Sequence, residues 1–342
     1  MWLPPALLLL ILLSGCASVA PLGSVLPPGT PAHVELLDAP FFPQEDHQCG
    51  PSALATVLEA SGTAALPEQL VAEVYLPGRE GSLKQELLAA ARRRGRLAYV
   101  LPDDPGALLA EIGAGRPVLI LQNLGIDAHP LWHYAVLIGF DAVRNQVVLR
   151  SGRQDRLVMS WRRFEGSWRR GGRWAATMLD PGMLPTQPVA LNYLDACAGL
   201  EAAGMFDAAA SSYAAAADRW PENPLVHLGQ GNVAYARGDL GAAVAAYRRG
   251  VRLAPADAAL RNNLAQALLD SGCAEQALAE AREAAELAQD SALAADVRAT
   301  LESVMRATES TSTVESCPDS MAGGDTEQSL SLRHDAGNGT DD

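Results

Sequence analysis

The 342-residue chain is 49% hydrophobic, enough to build cores in two domains of ordinary size. Its 26 Lys and Arg against 40 Asp and Glu leave a formal charge of −14, which argues against a general nucleic-acid binder. Five cysteines, Cys16, Cys49, Cys197, Cys273 and Cys317, are too few and too scattered for a disulfide framework.

The opening stretch "MWLPPALLLLILLSGCASVAP" carries an apolar run of signal-peptide length, short of the roughly 20 residues a membrane span needs, so export is expected. No Lys or Arg precedes the run, a departure from the usual basic start that a wrongly chosen start codon would explain. Leu13-Ser14-Gly15-Cys16 resembles the lipobox of bacterial lipoproteins. The resemblance implies a signal peptide over residues 1–15 and a lipid on Cys16; an ordinary cleaved signal beside a chance cysteine is the alternative. Ala17, where an inner-membrane retention signal has Asp, favours the outer membrane of a diderm bacterium, facing the periplasm. Residues 16–34 are then expected to form a Pro-rich tether, and the stretch "PPGTPAHVELLDAP" to act as a spacer.

A first domain is expected over residues 35–182. In "PFFPQEDHQCGPSALATVLEASG" Pro51 suits a first helical turn, Leu54, Val57 and Leu58 give an i, i+3, i+4 stripe, and Gly62 ends the helix. Cys49 falls at the helix mouth, where the positive end of the macrodipole and free N–H groups favour a thiolate; the plain alternative is a small buried hydrophobe. A second helix, "SLKQELLAAARRRG", is expected to open with a Ser82 to Gln85 capping box and to close on arginines and Gly95. Strand-like runs follow at 97–101, 117–123, 133–140 and 146–151, giving an α+β domain whose two halves can flank a cleft.

Through "PQEDHQCGPSALATVL" and "HYAVLIGFDAVRNQVVLRSG" the domain resembles the bacteriocin-processing, double-glycine type of papain-like cysteine peptidase, over roughly residues 35–180. The resemblance implies Cys49 as nucleophile, His133 as base and later acid, and Gln44 as oxyanion donor, in a reaction that hydrolyses a peptide bond through an acyl-enzyme. Those residue types suit that chemistry: a thiolate attacks, an imidazole manages the protons, and a fixed amide steadies the tetrahedral charge. Gln44 lies five residues before Cys49, where the family often has six, and Gln48 is the fallback.

The third partner departs from the family, which has Asp or Asn at the end of the next strand. "LRSG" puts Ser151 there. Asp141 lies eight residues along the strand from His133, about 26 Å at roughly 3.3 Å per residue, too far to orient it. A Cys-His dyad steadied by Ser151, substitution by Asp155, and lost activity remain open. The same dyad would also serve acyl transfer to an amine, and a catalytically inactive adaptor binding peptides or proteins at the membrane is the rival of another class. His47, Cys49, His129 and His133 have metal-ligand types, yet His129 and His133 fall on an irregular Pro-containing segment, so no metal is assigned. No Gly-rich phosphate loop or ATP-transporter segment is visible, and no cofactor is called for.

In "WRRFEGSWRRGGRW" the spacing of Trp161, Phe164 and Trp168 predicts a helix packed on the sheet, with arginines that could instead meet lipid phosphates. Beyond it, Gly204, Gly238 and Gly272 recur every 34 residues, as do Pro221 and Pro255, Ala209, Ala243 and Ala277, and Tyr213 and Tyr247. That period is the tetratricopeptide pattern, so about three repeats in an all-α solenoid are expected over residues 183–306. Such a surface can bind a peptide or protein partner, self-associate or cap the enzyme. Cys197 and Cys273 fall among these helices and read as small buried thiols. Residues 307–342 hold eight acids and one base among Ser, Thr and Gly, and are expected to be a disordered acidic tail.

Overall fold

The computed structural model describes residues 19–44, 48–289, 291–310 and 317. The proposed signal peptide and Cys16 lie outside the described residues, as do His47 and nearly all of the tail beyond Ser310. The chain divides into two compact units, Met1–Arg237 and Gly238–Asp342.

The first unit is built on a seven-stranded antiparallel sheet, β1 His33–Glu35, β2 Leu97–Val100, β3 Val118–Asn123, β4 Trp132–Asp141, β5 Gln146–Ser151, β6 Gln154–Ser160 and β7 Ala175–Leu179. The strand order is β2-β7-β3-β4-β5-β6, and β1 pairs with the far end of β4. Alternation along β4 separates two cores. Tyr134, Val136 and Ile138 join Leu54, Leu58, Leu70 and Leu87 from helices α1 Cys49–Ala60, α2 Pro67–Val74 and α3 Lys84–Arg93. Ala135 and Leu137 join a second core with α4 Pro105–Gly113 and α5 Trp161–Arg170. The expected α+β arrangement is therefore present, with helices α1–α3 on one face.

The repeats begin inside this unit. Helices α6 Ala190–Ala202, α7 Phe206–Arg219 and α8 Pro224–Ala236 contribute Tyr193, Leu200, Tyr213 and Val226 to the same core as β2 and α4. Tyr99 and Tyr193 have ring centroids 6.5 Å apart, the Val189 N–H donates to the Tyr99 hydroxyl at 3.2 Å, and Asn192 donates to the Val100 carbonyl at 2.9 Å. The connecting segment is pinned by buried Glu111, which accepts from both the N–H and the hydroxyl of Thr186. In the second unit α9 Leu240–Leu253, α10 Ala258–Asp270, α11 Ala274–Leu287 and α12 Ala294–Ser310 continue the helical run. The 34-residue glycines earn their recurrence as turn residues: Gly204, Gly238 and Gly272 all have φ between +73° and +81°.

Four expectations are corrected. The helix predicted to start with a Ser82–Gln85 box starts at Lys84 with Leu83 as its uncapped lead, and the Ser82 hydroxyl is buried without a partner, drawn instead toward α1. The Pro-rich stretch is not a free spacer over its described part: Leu22 is fully buried, and His33–Glu35 pairs with β4 because Val34 and Leu36 find apolar cover on the domain. Cys273 is not a free thiol but is bonded to Cys317, across 44 residues of chain. Cys197 is a buried free thiol as expected, and so is the packing of Trp161, Phe164 and Trp168, whose rings stack at 5.5 and 5.9 Å. The fourth correction, at Cys49, belongs to the site.

Candidate active site

Cys49 is the first residue of α1, preceded by Gln48, whose side chain makes no cap. From Gly50 to Leu58 every residue of the helix is buried, so packing against the sheet, more than local propensity, fixes where its mouth points. Gly50 is required there: a Cβ at that position would stand 2.5 Å from the Ser82 hydroxyl. The carbonyl of Ser82 accepts from the Tyr134 hydroxyl at 3.4 Å, which ties the segment before α3 to β4 across the top of the helix. The Tyr134 ring in turn meets Trp174 edge-on at 5.9 Å.

Four of the residues singled out from sequence, Cys49, Gln44, His133 and Ser151, lie at one end of β4. The backbone N–H of Tyr134, next to His133, faces the Cys49 sulfur and acts to lower its pKa. Gln44 donates its side-chain amide to the Tyr134 carbonyl at 3.4 Å, while its own N–H donates to the Gly152 carbonyl at 3.0 Å. The His133 Nε2 lies 2.9 Å from the Ser151 hydroxyl oxygen. The hairpin of β4 and β5 thus brings Ser151 to the imidazole, as the register of Val136 with Arg150 requires. Asp155 is elsewhere: it is exposed on β6, and its carbonyl accepts from Arg150. Asp141 sits at the far end of β4 against Arg144 and His33. Gln48 is half-buried at the helix start, His129 is exposed in the β3–β4 turn, and among the described residues no three His, Cys, Asp or Glu side chains cluster as a metal site.

Burial works against the thiolate that the helix mouth favours. Burial pushes the Cys49 thiol up, and this outweighs the hydrogen bonds from the N–H groups of Tyr134, Gly50 and Cys49 itself, which act the other way. Burial likewise lowers the His133 imidazole. Both shifts favour the neutral thiol and neutral imidazole, and among the described residues the side chain that meets His133 is the uncharged Ser151 hydroxyl. Position relative to a helix mouth is legible in sequence; the extent of burial there is set by distant segments. Tyr134 was missed as a site residue since its contribution is a backbone group, and its one signal is adjacency to His133 on a strand.

A model described as the Peptidase C39 like family matches residues 36–176, and one described as Tetratricopeptide repeat matches residues 199–258 and 228–292. The chain carries a C39-like peptidase domain followed by tetratricopeptide repeats. Among solved structures, it is similar to a C39-like peptidase from Bacillus anthracis at 19% identity, covering 43% of this chain and 97% of that one, with a TM-score of 0.36. The type III secretion translocator chaperone SycD of Yersinia enterocolitica shares 20% identity over 34% of this chain and 83% of its own, with a TM-score of 0.33. A type III secretion complex from Aeromonas hydrophila shares 22% over 35% and 83%, with a TM-score of 0.34. No curated protein matches the chain.

Proposed function

We propose that the C39-like domain hydrolyses peptide bonds through an acyl-enzyme on Cys49. The observation that carries this reading is the pairing of His133 Nε2 with Ser151 at 2.9 Å, at the strand end where Tyr134 meets Cys49. If Nε2 carries the proton and donates to Ser151, the lone pair is on Nδ1, the nitrogen left to take the thiol proton. Cys49 Sγ then attacks the carbonyl carbon, and the Gln44 amide and the N–H of Cys49 receive the developing oxyanion. Protonated His133 gives its proton to the departing amine, and water, deprotonated by the same imidazole, releases the acid. Ser151 orients the ring but adds no negative charge, so it supports the tautomer without supporting the imidazolium.

Cys16 as a lipid anchor, and an outer-membrane address facing the periplasm, rest on the lipobox resemblance. The repeats recruit a peptide or protein, either the substrate or a partner, as tetratricopeptide surfaces do. A second reading, an inactive peptidase-fold adaptor, is favoured by one observation: burial disfavours both charged forms and a neutral hydroxyl replaces the carboxylate. The pH dependence of Cys49 alkylation, in the native protein and in His133→Ala, separates them when run beside turnover of a quenched peptide library. A peptidase shows turnover that Cys49→Ser abolishes, and alkylation that slows without His133. Alkylation indifferent to His133, with no peptide cut, leaves the adaptor.

A further inference from the structure

Residues 19–22 dock on one particular face of the domain. Val19 packs on the core, the Ala20 carbonyl accepts from Trp161 Nε1 at 3.0 Å, and the Leu22 N–H donates to the Asn145 side chain at 2.8 Å. Cys16 is three residues earlier, within about 10 Å at full extension, and the unbroken apolar run of residues 6–13 precedes it. Residues 20 and 22, which follow that run in sequence, lie beside the β4–β5 turn and the first turn of α5.

That face has the chemistry of a lipid headgroup contact. Val143 is 88% exposed at the turn, and the Arg144 side chain is 75% exposed. Arg162 and Arg163, directly after the docked Trp161, are both exposed. The acid that meets this group, Asp141, is already answered by Arg144 at 3.3 Å and His33 at 3.7 Å. Three exposed arginines and one acid, Asp141, close to an exposed valine and to Ala20 and Leu22, make a local reversal of sign in a chain of net charge −14.

We propose that the surface formed by Val143, Arg144, Arg162 and Arg163 seats on anionic phospholipid and fixes how the domain stands on the membrane. It occupies the opposite end of the β4–β5 hairpin from His133 and Ser151. The eight-residue run from His133 to Asp141 spans about 26 Å, so the candidate cleft is held away from the bilayer and opens toward soluble peptide. The orientation of the cleft rests on the peptidase reading above; the lipid contact does not.

The test uses a chain beginning at residue 19, which keeps every contact described for the fold, pelleted at low salt with phosphatidylcholine vesicles containing phosphatidylglycerol. The protein is expected to pellet with these and not with pure phosphatidylcholine. Binding should fall by about fivefold for each arginine removed, and by more for Arg162→Glu with Arg163→Glu. Arg153→Glu, at the cleft end, should leave binding unchanged. No pelleting, or equal loss in Arg153→Glu and in the double variant, overturns the proposal. The anchor is judged separately, from the mass of the N-terminal peptide in the membrane fraction: absence of acyl chains on Cys16 would remove that anchor and leave the vesicle result standing. Failure of peptide turnover in Cys49-intact protein bears on the cleft alone.

Discussion

Deleting the repeats is the perturbation that best separates a domain boundary in sequence from one in packing. A chain ending at residue 189 loses α6, α7 and α8, and with them the cover of the β2 side of the sheet. Helix α6 alone buries three large side chains, Tyr193, Leu194 and Leu200. At about 1.5–3 kcal/mol for each such burial, the lost contact is on the order of 5 kcal/mol or more. A domain's whole stability is about 5–15 kcal/mol, so the shortened chain should be marginal or unfolded at 37 °C. It also strips Asn192 from the Val100 carbonyl and exposes the face of Tyr99 that meets Tyr193. A chain ending at Arg237 keeps the entire first unit and should stay folded. Urea denaturation followed by circular dichroism, with binding of a hydrophobic dye at zero denaturant, measures the difference. A midpoint for the 189-residue chain equal to that of the 237-residue chain would refute the reasoning and make the repeats a separable module.

Other expectations follow from single groups. Ser151→Asp places a carboxylate where the hydroxyl meets His133, so it should raise the imidazole's pKa and move Cys49 alkylation to lower pH; an unchanged profile would remove Ser151 from the site. Ser151→Ala should slow turnover at least several-fold without changing the melting temperature by more than a few degrees, measured by calorimetry beside peptide hydrolysis. His133 is lowered by burial, so its contribution to stability is complete above its unfolded pKa near 6.5 and declines as pH falls through that value toward the folded one; His133→Gln should flatten that part of the pH–stability curve. Glu73 is held down to about 2 from 4.5, first by its hydrogen bond to Arg94 and further by Arg93, so its contribution is complete above about pH 4.5 and fades toward pH 2. Glu73→Gln should remove that acid limb in urea titrations. Reduction of the Cys273–Cys317 bond should destabilise the second unit by about 2–4 kcal/mol, and alkylation with and without reductant followed by peptide mass mapping checks the pairing.

Periodicity carried most of what was legible. The 34-residue step located the repeats because every turn needs a left-handed residue, and Gly204, Gly238 and Gly272 supply it. The four recognised strands were readable as apolar runs, whereas β1, β6 and β7 were not. His33–Glu35 is only three residues of strand, held by β4 rather than by its own pattern, and Gln154–Ser160 leaves most of its residues exposed. The site divides the same way. The family resemblance marked Cys49, His133 and Gln44 and left Ser151 and Asp155 as alternatives, between which the pairing of β4 with β5 decides for Ser151. Charge state was beyond reach, since it depends on what surrounds the pair. The helix mouth favours a thiolate, yet the Cys49 thiol is raised because α1 is buried from Gly50 to Leu58 and the sulfur is pressed against β4. A carboxylate beside His133 would offset that burial by stabilising the imidazolium; Ser151 does not. In the proposed peptidase reaction, proton transfer from Cys49 to His133 therefore works against the burial of both groups, with peptide amides and the Gln44 side chain as the dipoles at hand. Ser151→Asp, by placing a carboxylate at the imidazole, is the substitution that would ease that transfer.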